Sequence, residues 1–306
     1  MTTRRARRRS TLPLVLAGSL LLATACSGGA GDAASSAGST GTDREIFNML
    51  PDSIKKSKVI KVGVSPNSPP LIHASGDKNV GIIPDLAAEV EKKMGVKLEI
   101  IGMDYAGLIP ALQAKRIDIN WSVINDTEER QETMDFVDFL RSDHGLLLHK
   151  GNPKNITDAD SLCGTRAGTV KGGLDQVFLE EQKKKCAAEG KPEMEILLYN
   201  NRLGIQTAMQ SGKVDSFLGI KPSHQYQAKT VKDGTVFEVA DATFLPGIFG
   251  MALLKDNTRL RDAMQAALKD TVRDGEYTKI LDRYDIGSSA LTEDEILVNG
   301  VGNGLP

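Results

Sequence analysis

Short apolar runs and amphipathic stretches alternate along the first half of the chain. The run "VIKVGV", Val59 to Val64, is rich in β-branched residues and typical of a strand, while "IPDLAAEVEKKMG" carries apolar residues at helical spacing. Pro84 suits the first turn of that helix and Gly95 its end. The stretches "KLEII", "YAGLIPALQAKR" and "IDINWSVI" continue as strand, helix and strand. This alternation predicts an α/β fold with mainly parallel sheets covered by helices on both faces.

The same order of elements returns in the second half. After "HGLLLHKGNP" come a glycine-interrupted strand, a helix, a strand, a helix and a strand, in the stretches "GTRAGTV", "LDQVFLEEQKKKCAAEG", "EILLYN", "LGIQTAMQSGK" and "VDSFLGI". We interpret the two series as similar lobes, each with its own sheet, because no period of 20 to 50 residues recurs as in a true repeat. The helical stretch "LRDAMQAALKDTVRDGEYTKILDRY" must pack on one of them.

The start of the chain has the pattern of an export signal. Five arginines lie within the first nine residues, and an apolar run of 14 residues, Leu12 to Ala25, follows them. A membrane-spanning helix needs roughly 20 apolar residues, so a cleaved segment is favoured over a transmembrane span. Residues 1–25 are therefore predicted to be a signal peptide. Residues 26–53, which begin with a run of small and polar residues, are predicted to be a flexible tether.

Cys26 follows the apolar run in "LLATACSGG", which resembles the lipobox of bacterial lipoproteins. The resemblance implies that Cys26 carries a lipid and anchors the exported protein to the outer face of the cell membrane. Ala23 stands where such boxes usually have leucine, and plain secretion is the alternative. Without the signal peptide the chain has 33 basic and 40 acidic residues, a formal charge of −7. That balance argues against a nucleic-acid partner.

Two further cysteines, Cys163 and Cys186, are expected to form a disulfide, because an exported protein folds where such a pair stays oxidised. The bond would close a loop of about 22 residues and contribute on the order of 3 kcal/mol to stability. Two separate buried thiols are the alternative. The spacing of cysteine and histidine residues suggests no metal site, and no cofactor is expected.

Several stretches in order resemble the family 3 solute-binding proteins of ABC transporters, which bind polar amino acids. They run from about Ile54 to Ile286 and are "KVIKVGV", "GIIPDLAAEVEKKMGVKLEI", "MDYAGLIPALQAKRIDI", "NDTEERQETMDFVDF", "LCGTRAGTVKGG", "MQSGKVDSFLG" and "ALKDTVRDGEYTKILDRY". The resemblance implies a periplasmic-binding-protein-like fold, in which two α/β lobes joined by two hinge strands close on a ligand.

By that resemblance the chain divides into two lobes. The first is discontinuous, built from residues 54–139 and 249–306, and the second is the insertion 145–243. The hinges are expected near 140–144 and 244–248.

Arg130 is the residue that the resemblance marks most clearly. A positive side chain in the first turn of a helix opposes the helix dipole, so another contact should hold it. In the family's T-x-E-R pattern, matched here by Thr127, Glu129 and Arg130, the arginine clamps the ligand's carboxylate with two parallel hydrogen bonds. The alternative is a surface arginine paired with Glu128 or Asp126.

Three further residues match the first-lobe side of such a site. Tyr105 falls where the family places an aromatic ring against the ligand's aliphatic part. Asn125 stands where relatives present a hydroxyl group, and its amide can both donate and accept. Val123 would contribute its backbone only.

The second lobe departs from the family pattern. Gly172 and Gly173 stand where a glycine and a threonine help to hold the carboxylate, so the hydroxyl group is missing. Ile220 occupies the position of the aspartate that pairs with the ligand's α-ammonium group, and a buried charge left unpaired costs several kcal/mol. Asp241 could replace that acid, the ligand could lack the ammonium group, or Lys221 could face the pocket and pair with a second anion.

These features predict a monomeric, substrate-binding component of an ABC importer, which captures a small carboxylate-bearing solute and delivers it to a membrane permease. A cyclohexadienyl-dehydratase-like enzyme on the same scaffold is an alternative, but no Ser/His/Asp or HExxH spacing supports catalysis. A ligand sensor for a surface signalling partner is a second alternative that the sequence does not separate from transport.

Overall fold

The computed structural model describes residues 43–305 of the chain. The predicted signal peptide, residues 1–25, and the predicted lipidation site Cys26 lie outside the described residues. The helices are α1 Arg44–Met49, α2 Asp52–Ser57, α3 Ile82–Met94, α4 Tyr105–Gln113, α5 Glu128–Gln131, α6 Leu174–Ala188, α7 Arg202–Gln210, α8 Lys221–Thr230, α9 Thr258–Arg273 and α10 Glu276–Arg283. The strands are β1 Val59–Val64, β2 Asn67–Ser68, β3 Ile72–Ser75, β4 Lys78–Val80, β5 Lys97–Gly102, β6 Ile119–Asn120, β7 Met134–His149, β8 Arg166–Val170, β9 Glu195–Tyr199, β10 Ser216–Ile220, β11 Phe237–Val239 and β12 Phe244–Leu254.

The predicted strand-helix alternation is confirmed, and helix α3 illustrates why. Its apolar residues recur on one face and are buried, Pro84 lies in its first turn, and Gly95 ends it in the left-handed conformation with φ of 64°. Glycine adopts that conformation without steric cost. Helices of this kind pack on strands that pair in parallel, β1 with β5 and β6 in one half, and β8 with β9 and β10 in the other.

The arrangement of the sheet corrects one expectation. Instead of two separate sheets, the strands follow one continuous order, β5-β1-β6-β12-β7-β10-β8-β9, with β11 also paired to β7. The cause is strand β7, whose 16 residues pair antiparallel with β12 over the first part and with β10 over the second. The partner of β7 changes around Ser142 and His144. The two ends of the sheet therefore form two α/β lobes that share a central strand.

The predicted hinges fall on the two strands that connect the lobes. Residues 140–144 lie in β7 where its partner changes, and residues 244–248 lie in β12, whose pairing with β7 shifts register between Phe244 and Gly247. Such an irregularity weakens the hydrogen-bonded ladder locally. The boundaries of the lobes and their hinges remain predictions that this geometry accommodates.

The start of the described chain corrects the predicted tether over residues 26–53. Residues 44–49 and 52–57 are helical, and Ile46 and Ile54 in these helices and Leu50 between them are buried in the core of the first lobe. The Asp43 carboxylate caps α1, and the Asp43 amide donates to the Lys93 carbonyl at 2.8 Å. The predicted tether is therefore wrong for residues 44–53, which dock through these three apolar residues, and its residues 26–42 lie outside the described residues.

The C-terminal segment that the sequence leaves unassigned packs on the first lobe. Ile296 is fully buried, and the amide of Asp138 on β7 donates to the Leu297 carbonyl at 2.9 Å. The buried hydroxyl group of Tyr277 donates to the Phe139 carbonyl at 2.8 Å and accepts from the Leu291 amide at 3.0 Å. These bonds tie the tail to the middle of β7.

The predicted disulfide between Cys163 and Cys186 is confirmed, with 5.7 Å between the two Cα atoms. It joins the end of α6 to the loop before β8. Among residues 43–305, no helix is long and apolar enough to cross a membrane.

Candidate functional site

Residues of both lobes enclose one small cavity. Its volume is about 20 Å³, which holds roughly one water molecule but not an amino acid. An amino acid therefore does not fit inside this cavity in the arrangement of the lobes seen in the structure. The lining residues are Ser65, Ser68, Tyr105, Val123, Asn125, His144, Val170, Gly173, Leu174, Asp175, Asn201 and Arg202.

The first-lobe wall contains three of the predicted ligand contacts. Tyr105 begins helix α4, and Val123 and Asn125 follow strand β6. Asn125 is buried, and its side-chain amide donates to the Ser142 hydroxyl group on β7 at 2.7 Å. This bond connects the cavity wall to the region of the predicted hinge. The side-chain oxygen of Asn125 is free of any intramolecular donor among the described residues.

Arg130 lies at the edge of the enclosed cavity rather than inside it. The hydroxyl group of Thr127 caps α5 by accepting from the Arg130 amide at 3.3 Å, so Thr127 positions the arginine. One terminal guanidinium nitrogen, Nη1, donates to the Asn125 carbonyl at 2.9 Å. Within the described chain, no carboxylate pairs with Arg130. The alternative prediction, an ion pair with Glu128 or Asp126, is therefore wrong. Most of its donors are therefore free to bind a ligand.

The predicted glycine pair faces Arg130 across the cleft. Arg130, Thr127, Gly172 and Gly173 line one wider cavity of about 540 Å³, which adjoins the small one through Gly173 and Leu174. Gly172 has a φ of 79°, which favours glycine, and Gly173 precedes helix α6. No side chain caps that helix, and the uncapped N-terminus of a helix favours an anion.

A buried acidic residue that the sequence analysis missed lies in the second-lobe wall. Asp175, in the first turn of α6, is 5% exposed, and its Oδ1 lies 2.5 Å from His144 Nδ1 on β7. The other ring nitrogen of His144 is buried and has no hydrogen-bond partner among the described residues. The position of Asp175, three residues after Gly172 at the start of a helix that faces the cleft, is the signal that could have identified it.

Arg202 was missed as well. It is the first residue of α7 and is 7% exposed, and its guanidinium carbon lies 5.8 Å from the centre of the Phe217 ring. Its Nη1 is buried without a hydrogen-bond partner in residues 43–305. Burial lowers the pKa of Arg202, and the nearby Asp175 charge opposes that shift. Arg202 and the adjacent His144 in turn lower the pKa of His224, after the larger effect of burial.

The other two predicted second-lobe contacts do not reach the cavity. Ile220 is fully buried in the hydrophobic core at the end of β10, because a strand residue that faces the core is packed on all sides. Lys221 points away and donates to the Asp241 carbonyl at 2.9 Å and to the Thr243 hydroxyl group at 2.7 Å. Asp241 itself is exposed outside the cavity, so neither residue replaces the family's aspartate in this structure.

Comparison with known proteins agrees with this architecture. The sequence model of the family "bacterial extracellular solute-binding proteins, family 3" matches residues 60–288. The chain is 28% identical over 258 residues to the arginine-binding protein ArgT of Corynebacterium glutamicum, covering 83% of each chain. It is 27% identical to the histidine-binding periplasmic protein of Escherichia coli K12, covering 74% of this chain and 86% of that one.

A solved structure, an ancestral arginine-binding protein bound to arginine, superposes with a TM-score of 0.68 at 26% identity, covering 74% of this chain and 98% of that one. Because the family description spans most of the chain, the protein belongs to the family 3 bacterial extracellular solute-binding proteins. The α/β architecture of the described residues is that of these binding proteins.

Proposed function

We propose that the protein is the substrate-binding component of an ABC importer and captures an amino acid between its two lobes. The observation that carries the proposal is the cavity lined from both sides, with Tyr105 and Asn125 on one wall and Gly173, Asp175 and Arg202 on the other. A ligand that contacts both walls stabilises the closed arrangement, and its affinity reflects how far those contacts exceed the ordering cost.

In this proposal the ligand's carboxylate binds Arg130 and the amide groups at the start of α6. Arg130 retains unused donors and faces those amides across the wider cavity. Asp175 replaces the aspartate that the family has at the position of Ile220, and it binds the ligand's α-ammonium group. Tyr105 packs on the aliphatic part of the ligand. The relatives that are named for arginine and histidine support an α-amino acid as the ligand class.

The proposal extends to the protein's surroundings. The export signal and Cys26 would place the protein, lipid-anchored and monomeric, on the outer face of the cell membrane, where it meets its permease. It assigns binding and no catalysis to the pair His144 and Asp175, because the matched relatives are binding proteins. A ligand recovered chemically unchanged after prolonged incubation with the protein would support that assignment, and turnover would contradict it.

Thermal unfolding with two compound panels tests the ligand class. The panels are free α-amino acids and carboxylates without a free α-amine. A ligand at about 100 times its Kd adds about 2.7 kcal/mol of stability, a shift of roughly 5 to 10 °C for a chain of this size. A shift with α-amino acids alone is expected. A shift confined to the second panel, or none with either panel, would refute the proposed ligand class.

Substitution of Arg130 tests the clamp. Arg130→Ala should weaken binding of the identified amino acid by about 100-fold, since a charge-assisted pair is lost. Arg130→Lys should restore only part of the affinity, because it keeps the charge but not the planar fork. Arg116→Ala, at an exposed arginine of the first lobe, is the matched control. Unchanged affinity in Arg130→Ala would reject the clamp.

A further inference from the structure

Arg202 lines the ligand cavity, and its guanidinium group has no anionic partner among the described residues. No carboxylate oxygen among residues 43–305 lies within 4.0 Å of its nitrogens, and its side chain makes no hydrogen bond there. By contrast Arg166, in the same lobe, is paired with Asp215 at 2.7 Å. An arginine that is more than nine-tenths buried normally has a counter-charge, because an unpaired charge away from water is costly.

The surroundings of Arg202 leave room for its guanidinium group. A Cβ atom on Gly219 would lie 2.8 Å from Arg202 Nη1 and 3.0 Å from His224 Nε2, so the missing side chain at Gly219 provides the space for the guanidinium group. The neighbouring Phe217 ring packs against both residues, at 5.8 Å from the Arg202 guanidinium carbon and 4.5 Å from the His224 ring. The guanidinium group thus occupies a space that a side chain at position 219 would fill, and no carboxylate of the described residues pairs with it.

The carboxylate that influences Arg202, that of Asp175, already has another partner. Burial lowers the pKa of Arg202 and the Asp175 charge only opposes that shift, while the Asp175 Oδ1 pairs with His144 at 2.5 Å. The cavity wall therefore presents one carboxylate and one guanidinium side by side, and Arg130 adds a second guanidinium across the cleft. A complementary ligand has one positive and two negative groups.

We propose that Arg202 binds a second carboxylate and that the ligand is a dicarboxylic amino acid. This inference rests on the proposed function, in which Arg130 binds the α-carboxylate and Asp175 the α-ammonium group, and it adds the partner of the ligand's side chain. A ligand with a basic side chain would bring a like charge against the unpaired Arg202 in a closed, water-poor cavity. The ligand selectivity proposed here therefore differs from the arginine binding for which these two relatives are named.

Calorimetric titration with four probes tests the assignment without any substitution. The probes are L-glutamate, L-aspartate, L-glutamine and L-arginine, added to protein that has been unfolded in urea and refolded with its disulfide intact to remove bound solutes. L-glutamine has the shape of L-glutamate but no side-chain charge. We expect one of the two acidic probes to bind at least ~100-fold more tightly than L-glutamine and L-arginine.

Arg202→Gln then links that preference to the residue. The variant should lose about 100-fold in affinity for the acidic ligand while its affinity for L-glutamine changes by less than about threefold. Because it removes an unpaired buried charge, its ligand-free unfolding midpoint should equal or exceed that of the unsubstituted protein. The matched control, Arg116→Gln at an exposed site, should change neither affinity.

The outcomes separate the two proposals. If L-arginine or L-glutamine binds more tightly than both acidic probes, or if Arg202→Gln weakens L-glutamate and L-glutamine equally, the assignment of Arg202 is overturned while amino-acid binding stands. If no α-amino acid binds in the thermal panel or by calorimetry, the proposed function fails, and the assignment of Arg202 fails with it.

Discussion

Asp138→Asn should remove a large part of the pH dependence of the protein's stability. Asp138 lies on β7 with no exposed surface, and the Gly300 amide of the C-terminal segment donates to its Oδ2 at 2.8 Å. Its Oδ1 has no donor among the described residues and faces the second buried carboxyl group, Asp126. Burial, and then the Asp126 charge, raise the pKa of Asp138 to about 8, and burial raises the pKa of Asp126 as well. Asp138 is thus protonated at neutral pH and donates to Asp126.

The sign and size of the effect follow from proton binding in the two states. The pKa of Asp138 is 3.8 in the unfolded chain and about 8 in the folded protein. Between these values the folded protein holds a proton that the unfolded chain has released, so the stabilisation is complete below pH 4 and is lost as the pH rises to 8. One such proton changes the free energy of unfolding by up to about 1.4 kcal/mol per pH unit, on the order of 5 kcal/mol across the window.

The assay is urea unfolding of the purified protein at steps from pH 4.5 to 8.5. The unsubstituted protein should lose stability across this range relative to Asp138→Asn, because asparagine accepts from Gly300, donates to Asp126 and does not titrate. Asp143→Asn, at an exposed acid of the same strand, is the control and should keep the slope of the parent. A slope in Asp138→Asn equal to that of the parent, or a parent more stable at pH 8 than at pH 5 relative to the variant, would refute the shared proton.

Two further substitutions test the fold. Replacing both Cys163 and Cys186 by serine should lower the free energy of unfolding by about 3 kcal/mol, since the bond closes a loop with a sequence separation of 23; urea unfolding that matches the parent would contradict this. Leu50→Ala should cost about 2 to 5 kcal/mol because Leu50 is fully buried, whereas Met49→Ala, at a residue 36% exposed, should cost little. Equal urea midpoints for the two variants would show that the N-terminal helices do not dock on the first lobe.

The regular elements could be predicted from the sequence because each depends on a local pattern. Helix α3 follows from apolar residues at helical spacing between Pro84 and Gly95, and β1 from a β-branched run. The N-terminal helices were missed because each has only 6 residues, too short for a periodic pattern to stand out. The continuity of the sheet was missed because it depends on which partners the long strand β7 finds, a tertiary property.

The residues of the candidate site likewise divide into those that a local motif identifies and those that depend on the tertiary structure. Tyr105, Val123, Asn125 and Gly173 reach the enclosed cavity, and each was identified from its place in a motif. The family motif instead places the acid of the second lobe at the position of Ile220, because a motif fixes positions in sequence, and Asp241, the substitute that the sequence offers, is exposed outside the cavity. The acid that lines the cavity is Asp175, on a different element.

The family has its acid at the position of Ile220, whereas the acid in this cavity is Asp175, and the two positions have different surroundings. At the end of β10, Ile220 is part of the hydrophobic core, whereas Asp175 at the start of α6 stands beside His144 and within the field of Arg202. In the proposed complex Asp175, which pairs with His144 but not with Arg202, binds the ligand's ammonium group and leaves Arg202 without a counter-charge. In that complex, as we propose it, a second carboxylate of the ligand neutralises Arg202, so the position of the acid bears on the ligand's net charge as well as on its orientation.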